Sequence, residues 1–342
     1  MEFFSLQAGK GDAFIIKWKN ISATKYLLVD SGIPNTYFSI KEYVRAFGNP
    51  HAIIVTHVDW DHISGMDRLF ADESISSKSE ILTFVNTPEL ILFPPKDDKV
   101  ALEHGKVFLS TLNKHDVKHY GLYLGSNKDN TIEISGLKLT VISPPSSVLQ
   151  KLMSEWSPEM ILQKHNDESQ ILNMVSNDKE PIFRSYEDIV NEEEKPHSWE
   201  SDLINATSIA FIADDGIHKV LMLGDSLPEL IYEELCRLGY SENNKLSVDL
   251  VKISHHGCRN NTSKSLLKLI DCKKYLISTN GSGPYYHPHR ETIVRIAEFG
   301  RENKDKQIEV FLNYPIDTTA FVTEQEQKDW KLDFKTKNDL LS

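Results

Sequence analysis

Four side chains of types that commonly bind metal ions, His57, Asp59, Asp61 and His62, fall within six consecutive residues. They follow the apolar run Ala-Ile-Ile-Val and Thr56, and a short run of this kind predicts a strand that is buried on both faces. Sheets of α/β proteins usually place their sites at the carboxyl ends of such strands. Imidazole and carboxylate groups together suit zinc, manganese or iron better than calcium or magnesium. The cluster therefore predicts a metal site at the end of a buried strand.

Composition narrows the class of protein further. The chain has 342 residues, of which 40% are hydrophobic and 26% charged, so it can form a folded core. Its three cysteines, Cys236, Cys258 and Cys272, match neither a CxxC zinc motif nor a disulfide framework, and we expect reduced thiols. The N-terminus does not resemble a signal peptide, and no apolar run reaches the ~18 residues of a membrane span. We therefore expect a cytoplasmic protein without a membrane partner.

The charge balance bears on possible polyanionic partners. There are 38 Lys and Arg residues against 50 Asp and Glu residues, which gives a net charge of −12. The overall field of such a protein repels nucleic acid, so binding of DNA would need a local basic groove or a metal site.

Hydrophobic patterning predicts two runs of strands, with helices between and after them. Strands are predicted at 3–6, 13–18, 26–30, 52–56, 81–86, 138–143, 208–213, 219–223, 248–253, 274–278, 307–312, 319–323 and 330–334. Helices are predicted at 39–47, 228–238, 263–270 and 289–299. This order predicts an α/β protein with the layers of an αββα sandwich, formed by a single domain over residues 1–342.

Residues 146–200 differ from the rest of the chain. They are rich in Glu, Ser, Asn and Lys, and we interpret them as an inserted segment that is mostly helical or loose. A solvated acidic loop is the simplest interpretation of this composition. The alternatives are a lid over the site and a contact surface for a protein partner.

The motif His57-x-Asp59-x-Asp61-His62 resembles the HxHxDH signature of the metallo-β-lactamase superfamily, with Asp59 where a histidine is usual. This variant resembles the hydrolase domain of the ComEC-like competence proteins. Further segments resemble that subgroup in the same order, namely QAGKGDA at 7–13, NATS at 205–208, LGD at 223–225, KISHHG at 252–257 with Thr262-Ser263, and YHPH at 286–289. The resemblance covers about residues 1–325, apart from the insert.

The resemblance implies a four-layer αββα fold with two divalent metal ions, zinc most naturally, with manganese also open. It implies that Asp225 bridges the two ions. The second ion would be held by Asp61, His62, Asp225 and His255, and the first by His57, Asp59 and Asp225. Most relatives with two metals have a further histidine before the bridging aspartate, whereas this chain has Asn205-Ala206-Thr207-Ser208. The first ion is therefore expected to bind weakly or to arrive with the substrate.

Two assignments near the C-terminal motifs stay open. Neighbouring side chains on an extended strand point in opposite directions, so only one of His255 and His256 is expected to face the metal, and we favour His255. His287 lies in a loop rich in Gly, Pro and Tyr. By resemblance it contacts the substrate, acts catalytically or binds metal. Either Asp59 or His287 is expected to move protons to the leaving group.

The expected activity is that of a phosphodiesterase or nuclease that acts through a metal-activated water. DNA is the most natural substrate of the ComEC-like variant, and four cations near the motifs are candidates to line a phosphate path: Lys252, Arg259, Lys264 and Arg290. One alternative is a hydrolase of a small nucleotide or another ester. Another is a non-catalytic module that binds a partner protein, because fold does not fix function.

Overall fold

A computed structural model describes residues 1–20, 23–73, 75, 78–86, 110–155, 183–194, 198–283 and 286–341. Its strands, β1 to β17, are Glu2–Ser5, Phe14–Asn20, Ala23–Val29, Ala52–Val55, Leu82–Val85, His119–Tyr120, Thr131–Ile134, Leu137–Ser143, Ala210–Asp214, Lys219–Met222, Leu246–Ser247, Leu250–Lys252, Ile270–Asp271, Lys274–Ile277, Ile308–Leu312, Leu332–Thr336 and Asp339–Leu341.

The helices are numbered in the same way. Helices α1 to α9 are Tyr37–Phe47, Trp60–Ala71, Ser146–Glu155, Tyr186–Asn191, Leu203–Ala206, Pro228–Arg237, Lys264–Lys268, Arg290–Phe299 and Glu324–Asp329. Within the described part of the chain, every helix is too short or too polar to cross a membrane.

Most strands belong to two large sheets. The first has the order β17-β1-β2-β3-β4-β5-β6, and the second has the order β16-β15-β14-β12-β10-β9-β8-β7. In the first sheet the strands from β3 to β6 run parallel. In the second sheet the strands from β10 to β16 run parallel. Each sheet thus contains a parallel block with aligned carboxyl ends.

Alternation along the strands separates the layers. In β2 and β4, Phe14, Ile16 and Ile54 point into a core that also contains Phe211 and Leu276 of the second sheet. Their neighbours Ile15, Ile53 and Val55 point the other way and pack against α1 and α2. The outer face of the second sheet packs against α6, α7 and α8. The fold is therefore the four-layer αββα sandwich of the metallo-β-lactamase type, as the sequence predicted.

The turn at 214–216 illustrates where local sequence was sufficient. Strands β9 and β10 pair in antiparallel register across Asp214-Asp215-Gly216, which confirms the predicted hairpin.

The strand predicted at 319–323 was wrong. Residues Thr318–Ala320 form a 3-10 turn, because the Asp317 carboxylate accepts the Thr319 amide at 3.0 Å and closes the backbone on itself.

The described parts of the insert are helical in α3 and α4 and form a 3-10 turn at Trp199–Asp202. Around α4, the Tyr186 hydroxyl donates to Glu298 of α8 at 2.6 Å. The rest of the predicted insert, at 156–182 and 195–197, lies outside the described residues.

The two parallel blocks bring the chemical residues to one edge of the sandwich. Asp30 follows β3, residues 56–62 follow β4, and Asp225 comes three residues after β10. The Ile209 amide donates to the Thr56 carbonyl at 2.8 Å, which joins the two sheets beside the motif. Side chains from both sheets therefore meet over one pocket.

Candidate metal centre

His57 and His62 enter the pocket from the end of β4 and the start of α2. The Thr56 hydroxyl donates to Asp30 Oδ2 at 2.7 Å and lies 3.2 Å from His57 Nδ1, from which it accepts. His62 Nδ1 donates to Asp30 Oδ2 at 2.8 Å. Both rings thus donate through Nδ1 and present Nε2 to the pocket, which is the orientation that a metal ligand needs.

His256 is held in the same way from the second sheet. Its Nδ1 donates to the Ser278 carbonyl at 2.8 Å, at the end of β14. Its Nε2 lies 3.8 Å from Asp61 Oδ2 and 3.5 Å from Asp225 Oδ2. His256 therefore also presents Nε2 to the pocket.

Asp225 lies at the meeting point of these rings. Its Oδ2 is 3.5 Å from His62 Nε2 and 3.9 Å from His255 Nε2. Its amide donates to Ser208 Oγ at 2.9 Å, and a Cβ on Gly224 would come within 2.4 Å of that oxygen. The tight turn at Gly224, with φ +53°, thus sets the position of the carboxylate.

Three overlapping groups of three side chains share His62, and within each group the ligand atoms lie within 4.8 Å of one another. The groups are His57, His62 and Asp225; Asp61, His62 and His256; and Asp12, Asp30 and His62. Buried polar atoms nearly always find a hydrogen-bond partner, but Nε2 of His57 and Nε2 of His62 have none. The residues present therefore fit divalent metal ions, because cations would satisfy these buried atoms.

The electrostatics of the pocket agree with this assignment. Burial lowers the pKa of His62, but Asp225 and Asp30 raise it, and the net pKa lies well above its usual value. Burial raises the pKa of Asp225, but His256 and His62 lower it, and the net pKa lies well below its usual value. Asp225 therefore stays an ionised carboxylate, which is the form that can bind a cation.

A buried lysine supports the carboxylate from below. Lys252 at the end of β12 is fully buried, forms an ion pair with the buried Asp12, and lies 3.6 Å from Asp225 Oδ1. Its Nζ also donates to the Gly224 carbonyl at 2.9 Å. Burial lowers the pKa of Lys252, but Asp12 and Asp225 raise it above its usual value, so the side chain stays an ammonium. Lys252 therefore turns Asp225 so that Oδ2 faces the histidines.

The remaining motif residues face the mouth of the pocket. The side chains of Asp59 and Asp61 are 27% and 31% exposed. Asp59 precedes α2 but makes no capping hydrogen bond, and its Oδ2 lies 3.6 Å from His57 Nε2. The Asp61 carbonyl rests against Gly11, where a Cβ would come within 1.8 Å of it. Gly11 thus allows the first turn of α2 to approach the loop between β1 and β2.

The geometry favours His256 over His255, the histidine preferred from the sequence. The premise of that preference was wrong, because Ser254–Gly257 form a 3-10 turn in which both histidines have positive φ, 46° and 54°. Both rings consequently approach Asp225. His255 Nδ1 lies 3.2 Å from Asn261 Oδ1, and its side chain is 27% exposed. Its role as a ligand stays a prediction.

His287 lies beside the centre, on the side of His255. Its ring centroid is 5.6 Å from that of His255 and 6.3 Å from that of His256. Its ligand atom groups with those of Cys258 and His289, apart from the three groups that contain His62. Burial, with help from the neighbouring histidines, lowers the pKa of His287 to about 2.

The four cations proposed for a phosphate path all have protein partners. Lys252 is fully buried, so it cannot line a surface path, and that prediction was wrong for this residue. Arg259 pairs with Glu291 at 3.3 Å, Arg290 pairs with Glu326, and Lys264 donates to the Val190 carbonyl at 3.1 Å.

Sequence reasoning gave Asp30 and Asp12 no role in the centre. A signal for Asp30 was present, since it ends an apolar strand just as His57 follows one, but aspartates at strand ends are common turn residues. Ser208 ends the NATS segment at 205–208, and Asn261 was assigned no role from the sequence. Ser208 accepts the Asp225 amide, and Asn261 donates to the Asp225 carbonyl at 3.1 Å.

Comparison with known proteins agrees with the fold. Residues 7–140 match the family model described as the metallo-β-lactamase superfamily. The matched segment contains the His57-x-Asp59-x-Asp61-His62 motif. The chain is 26% identical over 104 residues to Recombination protein 2 of Haemophilus influenzae. The aligned segment is 30% of this chain and 12% of that protein. The match thus spans about an eighth of the length of this curated relative.

Solved structures with similar folds include the metallo-β-lactamase fold protein YhfI from Bacillus subtilis. It is 11% identical, with a TM-score of 0.47 over 99% of this chain and 98% of that chain. Zinc-bound PqqB from Methylobacterium extorquens is 10% identical, with a TM-score of 0.45 over the full length of both chains.

Proposed function

We propose that this protein is a metal-dependent phosphodiesterase whose centre is formed by His57, His62, Asp225, Asp61 and His256. One observation carries the proposal. Three imidazole rings, each oriented by an acceptor at Nδ1, converge on the Asp225 carboxylate from two different sheets. A purely structural histidine cluster would satisfy its buried nitrogens within the protein.

Divalent ions bound there, zinc or manganese, would supply Lewis acidity and lower the pKa of a water molecule towards neutrality. The protein groups do the positioning. Asp30 and Thr56 fix the rings of the two motif histidines, and Lys252 fixes the direction of Asp225. Five carboxylates, of Asp12, Asp30, Asp59, Asp61 and Asp225, lie in or around the centre, and Lys252 offsets only part of that negative charge.

Asp59 is the residue best placed to exchange protons with substrate. Its side chain is 27% exposed, and its Oδ2 lies 3.6 Å from His57 Nε2. A carboxylate here, in the position where a histidine is usual, can accept a proton from the attacking water or pass one to the leaving group. We assign this role to Asp59 rather than to His287, which groups with Cys258 and His289 and not with the donors of the centre.

The choice of a phosphodiester substrate is supported by the ComEC-like motif and by the name of the matched relative, Recombination protein 2. The charges favour short or single-stranded substrates over long duplex DNA. The net charge is −12, and the four cations considered for a phosphate path are engaged with protein groups. A small nucleotide or another phosphodiester is therefore the second candidate substrate.

The test is metal-dependent cleavage by the purified chain. The protein is stripped of metal, reloaded with zinc or manganese, and offered single-stranded DNA, duplex DNA and bis-p-nitrophenyl phosphate. The Asp61→Ala/His62→Ala double variant should lose turnover while keeping its fold by circular dichroism. Asp67→Asn, on the same helix but away from the pocket, is the matched control. This variant should keep wild-type turnover.

The three substrates distinguish a nuclease from a hydrolase of small phosphodiesters. Metal-dependent cleavage of single-stranded DNA supports the nuclease, and cleavage of the small ester alone moves the assignment to nucleotides and small phosphodiesters. Wild-type turnover by the double variant would contradict the assigned site. Metal binding without turnover of any ester would favour a partner-binding module.

A further inference from the structure

Helix α2 has an exposed face that begins at the metal centre. Trp60 starts the helix in the middle of the metal-binding motif, and its side chain is 47% exposed. Ser64 and Arg68 follow at intervals of four residues, so they lie on the same face of the helix as Trp60. The opposite face, with Ile63 and Phe70, packs against the first sheet. The exposed face therefore runs from the centre along the outside of the molecule.

Phe38 of α1 extends this face. Its side chain is 58% exposed, and the Arg68 guanidinium lies 5.7 Å from the centroid of its ring. The Ser64 hydroxyl donates to the Gly32 carbonyl at 3.1 Å, which fixes the segment before α1 against α2. Trp60, Arg68 and Phe38 thus form one aromatic and basic surface, which we call the α2 surface.

Arg68 keeps most of its guanidinium available to a ligand. Its Nη1 donates to Asn35 Oδ1 at 3.3 Å, and among the described residues no carboxylate forms an ion pair with it. The carboxylate of the neighbouring Asp67 accepts the Thr111 hydroxyl at 3.0 Å. A guanidinium has several further N–H donors in a geometry that matches a phosphate group. Arg68 thus differs from the four cations considered above, which are engaged with protein groups.

Lys10 places a second cation beside the first turn of α2. The loop that contains it lies close to the helix, because Gly11 rests against the Asp61 carbonyl. Lys10 is exposed, and its ammonium donates to the Gly283 carbonyl. Within the described part of the chain it has no carboxylate partner. Cations therefore lie near both ends of the α2 surface.

Aromatic rings combined with cations are the pattern by which proteins bind single-stranded nucleic acid, since bases stack on the rings and cations hold the backbone. Trp60 and Arg68 are about 12 Å apart along the helix, which is the length of about three stacked nucleotides. Duplex DNA cannot use the rings in this way, because its bases are stacked inside the helix. A protein partner is less favoured, because charged residues are depleted at the cores of protein interfaces.

We propose that the α2 surface and Lys10 bind single-stranded nucleic acid and lead it to the metal centre. Trp60 stacks on a base beside the centre, and Phe38 stacks on a base further along the strand. Arg68 and Lys10 bind phosphates of the same strand. They supply the local positive charge that a protein with a net charge of −12 needs to bind a polyanion. Delivery of a phosphodiester to the centre rests on the proposed function, whereas binding of the strand does not.

Fluorescence anisotropy of a labelled oligothymidylate tests binding without cleavage, because the full chain is used free of metal and at low salt. Trp60→Ala should weaken binding by about tenfold, as is typical for one stacked base, and Trp60→Phe should restore most of the affinity. Phe47→Ala removes an exposed ring at the other end of α1 and is the matched control. This control should keep wild-type affinity, and all the variants should melt like the wild type.

The salt dependence of binding tests the role of Arg68. For single strands, loss of one phosphate contact reduces the slope of log affinity against log salt concentration by about 0.7. Arg68→Gln should show this reduction. Arg45→Gln, which changes an exposed arginine paired with Glu42, should keep the wild-type slope.

Three results would overturn the proposal: no binding of a single strand by the wild-type chain, equal affinity for a duplex of matched length, or unchanged binding by Trp60→Ala. Oligouridylate is titrated beside oligothymidylate, and the tighter of the two identifies whether the surface prefers RNA or DNA.

The failure of this proposal can be distinguished from the failure of the proposed function. Strand binding that depends on Trp60 and Arg68, without metal-dependent cleavage of any ester, would support the α2 surface and contradict the phosphodiesterase. Cleavage of bis-p-nitrophenyl phosphate, with strand binding that is the same in wild type and Trp60→Ala, would support the phosphodiesterase and contradict the α2 surface.

Discussion

The donors of the main centre divide into two groups that differ in burial and support. The inner group, His57, His62, Asp225 and His256, has side chains that are at most 6% exposed. Each inner ring donates through Nδ1 to a fixed oxygen. The outer group, Asp59, Asp61 and His255, is 27–31% exposed.

This difference separates two tasks of the proposed metal-dependent hydrolase. Buried donors with oriented rings need little reorganisation to bind an ion, so affinity should come mainly from the inner group. Partly exposed donors can move and meet water or substrate, so exchange and proton transfer should depend on the outer group. Substitutions at and around each group test whether metal affinity depends mainly on the inner group.

The largest effect is expected from Asp225→Asn, which keeps the shape of the side chain but removes the charge that both donor groups share. Turnover should fall by at least about a thousandfold, because several kcal/mol of metal-based stabilisation depend on this carboxylate. Bound metal, counted by mass spectrometry after reloading, should fall in parallel. Asp305→Asn, at a highly exposed position, is the control and should change neither quantity.

Lys252→Met tests the support beneath the inner group. Removal of the buried ammonium leaves Asp12 and Asp225 without their cation, and breaking a buried pair in this way costs about 3–5 kcal/mol. Urea denaturation of the metal-free protein measures the loss. Lys335→Met, which removes a partly exposed lysine with two acidic partners, should cost less than about 1 kcal/mol. Equal losses in the two variants would show that Lys252 has no special role.

A smaller effect is expected from Asp30→Asn, which weakens the acceptor that orients His62. Metal affinity should fall by about 10–100-fold, as is typical for outer partners of ligating histidines. Competition with a chelating dye measures the affinity. Asp72→Asn, which alters an ion pair with Lys41 away from the pocket, should leave the affinity unchanged.

The smallest expected difference is the one between two neighbouring histidines. His256→Gln should weaken metal binding at least about tenfold more than His255→Gln, a difference of about 1.4 kcal/mol. The same dye competition compares them. If His255→Gln weakens metal binding more than His256→Gln does, His255 is the ligand and belongs to the inner group.

The first sheet's contribution was largely predictable, because a contiguous motif follows a contiguous apolar strand. His57 and His62 lie in the pocket where the run at 52–56 predicted them. The hairpin at 214–216 was also predictable, since turn chemistry is local. These elements depend on residues that lie close together in the sequence, so local sequence patterns predict them.

The second sheet's contribution was harder to predict, because it depends on backbone conformation and on distant partners. The choice between His255 and His256 depends on a turn with two residues at positive φ, which neither histidine signals. The role of Lys252 depends on Asp12, which lies 240 positions away. The grouping of Cys258 with His287 and His289 likewise depends on how the segment before α8 packs against the turn.

The most direct test of the main centre is an anomalous-scattering map from crystals of the chain loaded with zinc or manganese. The account predicts a peak bounded by His62, Asp225 and His256, with Asp61 at its outer side and His57 beside it. A map with metal bound elsewhere and none in this pocket would contradict the central claim.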